Sequence, residues 1–456
     1  MGLLEKLEKQ KAPQQPEKVA EAAAFSNKNG VSYIDEYSGL KEKIHGEIIE
    51  MINQEADNNG RPEVNKEEHI FKSIEVLVDN NGNAIPRTDR PRLVKEIYNN
   101  VVGLGPLEPL LSDPEISEIM VNGPYSVYVE RAGKLELSPT VFKDNSHVMN
   151  VLSRIVSSVG RRIDESSPMV DARLADGSRV NAIIPPLALN GPTITIRKFS
   201  KTPYTVSDLI RFGSVSPQMM LFLDACVKGK MNIIVSGGTG SGKTTLLNVL
   251  SGYIPNNERI VTIEDAAEIQ LRQDHVVTLE SRPANLENAG QVTIRDLVRN
   301  ALRMRPDRII VGEVRSGETL DMLQAMNTGH DGSLTTAHAN TPRDLISRLE
   351  TMVLMSGMEI PIKAIREQIS SALNIIVQQS RMKDGSRKIV NITEVVGMEG
   401  DTVTLQDIFY FKPEGTDPSG KLKGKFLATG IRPNFVEKML ESGIYVKDDW
   451  FANRGD

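Results

Sequence analysis

Along the first hundred residues the apolar positions recur at helical spacing. Leu40, Ile44, Ile48 and Ile52 fall four apart, as do Ile70, Ile74 and Val78, and Leu93, Val94, Ile97 and Val101 continue the pattern. Residues three and four apart share one helix face, so three amphipathic helices are predicted. The separators Asp57-Asn58-Asn59-Gly60-Arg61-Pro62 and Asn80-Asn81-Gly82-Asn83 are turn chemistry. A three-helix module over 33–102 is the economical reading, one end of the following domain its alternative. Residues 1–32 are polar, rich in Lys, Glu, Gln, Pro and Ala, and expected as a disordered tail.

From Gly103-Leu104-Gly105-Pro106 the pattern shortens to β-rich runs at 117–121, 126–130, 180–184 and 193–198, around a helical stretch near 146–160. This predicts an α+β domain over 103–199, followed by a linker at 200–216. Strands and helices then alternate. The runs at 233–235, 260–263, 276–279 and 308–311 are apolar on both faces, as in a mainly parallel sheet covered by helices. With a last β-rich stretch at 389–396 and 402–405, an α/β domain is expected over 217–425 and a C-terminal tail over 426–456.

The totals narrow the class. A chain of 456 residues should hold two or three domains. The single cysteine, Cys226, excludes an internal disulfide, suits a reducing compartment, and reads as a buried, inert thiol on the apolar side of a helix. Met1-Gly2-Leu3-Leu4-Glu5-Lys6 has no apolar signal core, Lys6 breaks the myristoylation pattern, and no apolar run approaches a membrane span. A cytoplasmic protein without direct membrane insertion is expected. A net charge of −6 and 5% aromatic residues argue against a nucleic-acid partner.

The candidate chemistry begins at Gly237-Gly238-Thr239-Gly240-Ser241-Gly242-Lys243-Thr244, placed between a buried-strand run and a helical pattern. It fits the phosphate-cradling pattern G-x-x-x-x-G-K-[ST] in its required setting. Gly238, Thr239, Gly240, Ser241, Gly242, Lys243, Thr244 and the next residue, Thr245, are the candidate nucleotide contacts. Glycines let backbone N–H groups turn toward a phosphate, Lys243 carries a point charge for the β- and γ-phosphates, and the Thr244 hydroxyl can ligate Mg²⁺. Arg308-Ile309-Ile310-Val311-Gly312-Glu313 has the form of a Walker B strand, but Gly312 stands where an Asp is usual, leaving Glu313 the only carboxylate at its end. Ile263-Glu264-Asp265-Ala266-Ala267-Glu268 closes another strand with three carboxylates, either surface solvation or a cluster managing metal and water. Two histidines, His330 and His338, lie eight apart in a glycine-punctuated run. With no cysteine or HExxH helix, zinc is disfavoured, leaving phosphate sensing or a structural loop.

These four motifs, in their order along the chain, resemble the secretion-ATPase superfamily, the motors of type II secretion, type IV pili and type IV secretion, over roughly 105–410. Met304-Arg305-Pro306-Asp307, Asp176-Gly177-Ser178-Arg179-Val180-Asn181, Ile194-Thr195-Ile196-Arg197-Lys198-Phe199 and Asp407-Ile408-Phe409-Tyr410-Phe411 are similar to its CpaF-type branch, which drives Flp/Tad pili. The resemblance implies a RecA-like P-loop ATPase domain preceded by an α+β domain, with ATP and Mg²⁺ as its requirements. It implies a homohexameric ring docked on inner-membrane pilus platform proteins, hence peripheral to the inner membrane. It also implies that Glu313 activates water, that Glu264 supports the metal indirectly through water, and that His330 and His338 couple phosphate loss to movement. Arg179 and Arg197 would reach the phosphates, with Arg173 and Arg315 as weaker candidates. Read without the resemblance, arginines on exposed strands are solvated surface. The alternatives are a nucleotide-gated scaffold without turnover, which the intact Glu313 opposes, and a nucleic-acid translocase, which sparse aromatics oppose.

Overall fold

The computed structural model describes residues 25–26, 32–33, 37–58, 66–81, 85–131, 133–199, 203–284 and 289–452. The tail expected at 1–32 lies outside them except at two short strands, β1 (Phe25–Ser26) and β2 (Ser32–Tyr33), which pair antiparallel. The chain divides into two compact units, Met1–Phe199 and Ser200–Asp456.

The first unit opens with α1 (Ser38–Asn58), α2 (Lys66–Asn80) and α3 (Arg90–Val101), the last started by a proline in its first turn. Their inward faces are the residues the four-spacing picks out. Ile44, Ile48, Ile74 and Val78 are fully buried, and Ile70, Leu93, Val94 and Ile97 join them in one cluster. Each such side chain stabilises the module by about 1.5–3 kcal/mol. After the short α4 (Glu108–Ser112) come β3 (Ile116–Asn122), β4 (Val127–Arg131), β5 (Lys134–Leu137), α5 (Asn145–Ser158), β6 (Met169–Arg173), β7 (Arg179–Ile183) and β8 (Thr193–Arg197). The strands form an antiparallel sheet in the order β5-β4-β3-β8-β7-β6. Asp144 caps α5 by accepting the His147 N–H at 2.7 Å. Val151, Leu152 and Ile155 of that helix pack with Ile119, Val180, Ala182, Ile194 and Ile196 of the strands. Alternate residues therefore point away from this core. Arg173 pairs with Arg179 across one strand junction and Arg179 with Arg197 across the next, which sets three arginines in a row on the outward face.

The second unit carries α6 (Val206–Arg211), α7 (Pro217–Lys228), β9 (Ile233–Gly237), α8 (Lys243–Ser251), β10 (Ile260–Glu264), β11 (Val276–Glu280), α9 (Ile294–Ala301), β12 (Arg308–Val311) and α10 (Glu318–Asn327). It continues through β13 (Leu334–Ala337), α11 (Pro342–Leu354), α12 (Ile362–Ala372), β14 (Ile375–Arg381), β15 (Arg387–Glu399), β16 (Thr402–Thr416), β17 (Leu422–Ala428) and α13 (Val436–Glu441). One sheet runs β11-β10-β12-β13-β9-β14-β15-β16-β17, parallel through β14 and antiparallel beyond. Apolar residues bury on both faces. Ile233, Val235 and Ile310 pack with α7 and α8, while Ile234, Ile309 and Val311 pack with α9 to α12. This is the RecA-like α/β architecture expected of the domain.

Two segments differ from the sequence reading. The stretch 200–216 carries α6, whose Thr205–Asp208 capping box starts a helix that buries Leu209. Residues 426–456 carry α13, which sends Val436 and Met439 into the α7 core, and Phe451, whose ring centroid lies 5.6 Å from that of Phe222. Their apolar positions are too few for a periodic signal and gain meaning only against α7. Asn232 fixes the start of β9. Its side-chain oxygen accepts the N–H groups of Gly332 and Ser333 at 2.8 and 3.0 Å, and its amide donates to the Ala372 carbonyl at 2.7 Å. Among the described residues no helix is long and apolar enough to cross a membrane.

Candidate nucleotide site

The order β10-β12-β13-β9, all parallel, brings four strand ends to the same edge, where ligands of such sheets bind. The phosphate-type loop leaves β9 there. A Cβ on Gly237 would lie 2.2 Å from the Gln379 carbonyl oxygen of β14, so the loop leaves the sheet where no side chain fits. Gly240 and Gly242 hold φ of +69° and +95°, a region that strains other residues. Helix α8 starts at Gly242 with no side-chain cap, whereas α7, α9 and α11 start on the side-chain oxygens of Ser216, Thr293 and Thr341. The first N–H groups of α8 are thus left for an anion.

Lys243 is nearly buried, and its ammonium donates to the Gly238 carbonyl at 3.1 Å and lies 3.2 Å from His338 Nε2. Burial lowers its pKa from the ordinary lysine value; the Glu313 charge works against this and the Arg315 charge with it. Glu313, just beyond β12, receives Arg315 Nη2 on one oxygen at 2.6 Å, and its other oxygen lies 3.0 Å from His338 Nε2. Arg315 also reaches Asp265 at 3.5 Å, and Asp265 accepts the Ser281 hydroxyl at 2.9 Å. His338 titrates below the ordinary histidine value, from burial first and from Lys243 next, so its ring is neutral at pH 7. The ring stands between the Lys243 ammonium and the Glu313 carboxylate, and Glu313 Oε1 is buried there with no hydrogen-bond partner among the described residues. A continuous chain results: Lys243, His338, Glu313, Arg315, Asp265.

The glycine in the Walker B strand has a steric reason. A Cβ on Gly312 would lie 2.8 Å from Cγ of Glu264, which reaches over from the adjacent β10 and fills the volume a larger residue would need. Glu264 is buried there, and its carboxylate accepts the N–H groups of Glu268 at 3.0 Å and Ile269 at 3.2 Å. Gly312→Ala is therefore expected to cost about 1–3 kcal/mol in urea unfolding. Adding Glu264→Ala removes the overlap, so the double variant should lose less than the sum of the two single losses. Strictly additive losses would contradict this packing.

The structure brings together Lys243, Glu313 and His338 but not His330. His338 follows β13 and His330 precedes it, so the strand, rising roughly 13 Å, separates them. His330 donates its N–H to the Ala325 carbonyl at 3.3 Å and its carbonyl accepts the Ser333 hydroxyl at 2.8 Å. The eight-residue spacing in an extended strand therefore spans the sheet and sets the two histidines at its opposite ends. Thr244 and Thr245 sit in the first turn of α8, half-buried, while Ser241 donates its hydroxyl to the Gly238 carbonyl at 2.9 Å. Arg179 and Arg197 belong to the other unit and are exposed, in loose pairs with Asp171 at 3.5 Å and Glu118 at 3.7 Å. Such pairs hold side chains weakly and leave them available.

The donor set fits magnesium. Near the loop it offers oxygens, the Thr244 hydroxyl foremost, and among the described residues no group of three or more His, Cys, Asp or Glu forms a metal cage. An ion held by one hydroxyl, phosphate oxygens and waters is the habit of Mg²⁺. Sequence reasoning gave no signal for Gln379, Arg381 and Arg387, which the β14–β15 hairpin sets beside the loop.

A family model described as Type II/IV secretion system protein matches residues 100–422. A Mycobacterium tuberculosis protein named for conjugal transfer is 37% identical over 313 residues, covering 67% of this chain and 88% of its own. The type IV secretion system protein VirB11 of Brucella abortus is 34% identical over 320 residues, covering 64% and 88%. Among solved structures, the VirB11 ATPase of Brucella suis in complex with sulphate is 31% identical, covers 63% of this chain and 94% of its own, and superposes with a TM-score of 0.35.

Proposed function

From the premise that this chain belongs to the Type II/IV secretion system protein family, as one of its ATP-hydrolysing motors, we propose a CpaF-type hexameric ring. It powers assembly or retraction of Flp/Tad-type pili, or secretion, at the inner membrane, through contacts with platform proteins there. The observation that carries the chemistry is the convergence of Lys243, His338 and Glu313 at adjacent strand ends beside an uncapped helix.

On this reading Lys243 turns from the Gly238 carbonyl to the β- and γ-phosphates, and the amides from Gly238 to Thr245 wrap the phosphate chain. Glu313 takes a proton from the attacking water. The water oxygen bonds to the γ-phosphorus as the bond from that phosphorus to the bridging oxygen breaks, its electron pair leaving with ADP. Thr244 would help hold magnesium beside the phosphates, where the ion would supply positive charge against the phosphate oxygens. Glu264 serves by fixing the turn 265–269, which carries Asp265 to Arg315. Arg179 and Arg197 supply fixed positive charge to the γ-phosphate; the guanidinium fork suits this because it stays ionised. His338, wedged between Lys243 and Glu313, registers loss of the γ-phosphate and passes it on as domain movement.

The test is phosphate release by the full chain with ATP and Mg²⁺, with assembly mass measured in parallel. A six-copy mass and turnover indifferent to single-stranded nucleic acid are expected; stimulation by the nucleic acid would point instead to a translocase. Arg197→Ala should retain ATP binding and slow turnover by ~10³-fold or more, the scale of losing a charge-stabilising arginine. An unchanged rate would return Arg197 to the solvated surface.

A further inference from the structure

Strand β9 lies between β13 and β14, so the loop has two flanks. One bears His338. The other bears Arg381, the last residue of β14, and Arg387, the first of β15, which pair across the hairpin. We propose that Arg381 and Arg387 are nucleotide-binding residues that grip the phosphate chain from the flank opposite His338, an inference resting on the ATP-binding reading above.

Three observations carry it. First, both guanidiniums reach the crown of the loop. Arg387 Nε donates to the Gly240 carbonyl at 3.0 Å, leaving both terminal nitrogens free, and a Cβ on Gly240 would lie 3.6 Å from Arg381 Nη1. Second, both side chains are exposed, and neither has a carboxylate within ion-pair distance among the described residues. Like charges directly opposite on neighbouring strands repel, so the empty hairpin stores a repulsion that an anion between the two would relieve. Third, Gln379, two residues back and so on the same face of β14 as Arg381, is almost fully buried, with its Oε1 unpartnered. A Cβ on Gly242 would lie 3.3 Å from Gln379 Nε2, which places this amide against the same loop. Gln379 Nε2 can donate to an anion in the loop, which its free Oε1 cannot, so this amide's donor joins the terminal nitrogens of the two arginines on one side of the loop. Guanidinium also matches phosphate geometry through paired N–H donors.

The experiment is equilibrium titration of the full chain with a fluorescent ATP analogue, comparing wild type, Arg381→Gln/Arg387→Gln and Arg381→Lys/Arg387→Lys, with thermal midpoints taken without nucleotide. The glutamine double variant should bind roughly 10- to 100-fold more weakly, the scale of losing charged hydrogen bonds to phosphate. The lysine variant keeps the charge and should recover most of the affinity, with midpoints unchanged throughout. Binding within twofold of wild type by the glutamine variant overturns the proposal. So does weak binding by both variants with lowered midpoints, which would mean that the arginines only brace the loop through the Gly240 carbonyl. Failure of the wild type to bind the analogue would instead remove the ATP-binding reading itself.

Discussion

Lys243→Ala should eliminate ATP turnover and weaken nucleotide binding about 10²- to 10⁴-fold, while the nucleotide-free protein keeps or raises its thermal midpoint. The first half follows from position. The ammonium is the only cation on the loop itself, and two charged hydrogen bonds to phosphate at about 1.5–3 kcal/mol each account for that loss. The second half follows from the site's electrostatics. Burial lowers the pKa of Lys243, which means that the folded surroundings disfavour its charged form at neutral pH. Removing the charge relieves that penalty, and the cation held in readiness for phosphate weakens the empty fold. Titration with a fluorescent nucleotide and a thermal scan check both halves. Retained phosphate release would contradict the phosphate-loop assignment.

Glu313→Gln should bind ATP as tightly as wild type and hydrolyse it ~10²- to 10⁴-fold more slowly, the contribution of a positioned general base. The amide keeps the shape of the carboxylate but cannot accept the proton from water. Nor can it hold Arg315 through a charge-assisted bond like the present one at 2.6 Å. Single-turnover phosphate release alongside equilibrium binding separates the two effects. Equal single-turnover rates in variant and wild type would favour a scaffold that senses ATP without useful hydrolysis.

How much of this was legible in the sequence depends on whether a feature is local. The helices of the first module, the buried strands and the loop at 237–244 announce themselves by spacing within a dozen residues, and the apolar runs between 117 and 311 lie close to folded strands, whereas β16 runs to Thr416, well past the stretch expected at 402–405. Glu313 and Lys243 were legible because a strand end and a loop fix their own side chains. What escaped was whatever needs a second strand. Gly312 looked like a departure from pattern until Glu264 was seen to fill its space from β10. Arg381 and Arg387 carry no local signal, because their setting comes from β14 pairing with β9. Linear spacing likewise hides that His330 and His338 stand at opposite ends of β13. Short edge strands such as β5, whose residues are all exposed, lack the alternation that marks a strand with one buried face.

The linked side chains from Lys243 to Asp265 bear on how the motor resets. On the proposed reading, the arrival of ATP would draw Lys243 from the Gly238 carbonyl and His338 toward phosphate and turn Glu313 toward water, while Arg315 keeps Asp265. Phosphate would relieve a cation that burial disfavours, so on this reading the exchange favours the bound arrangement. Departure of the products would return Lys243 to the surroundings that disfavour its charge, which primes the loop to take up ATP again.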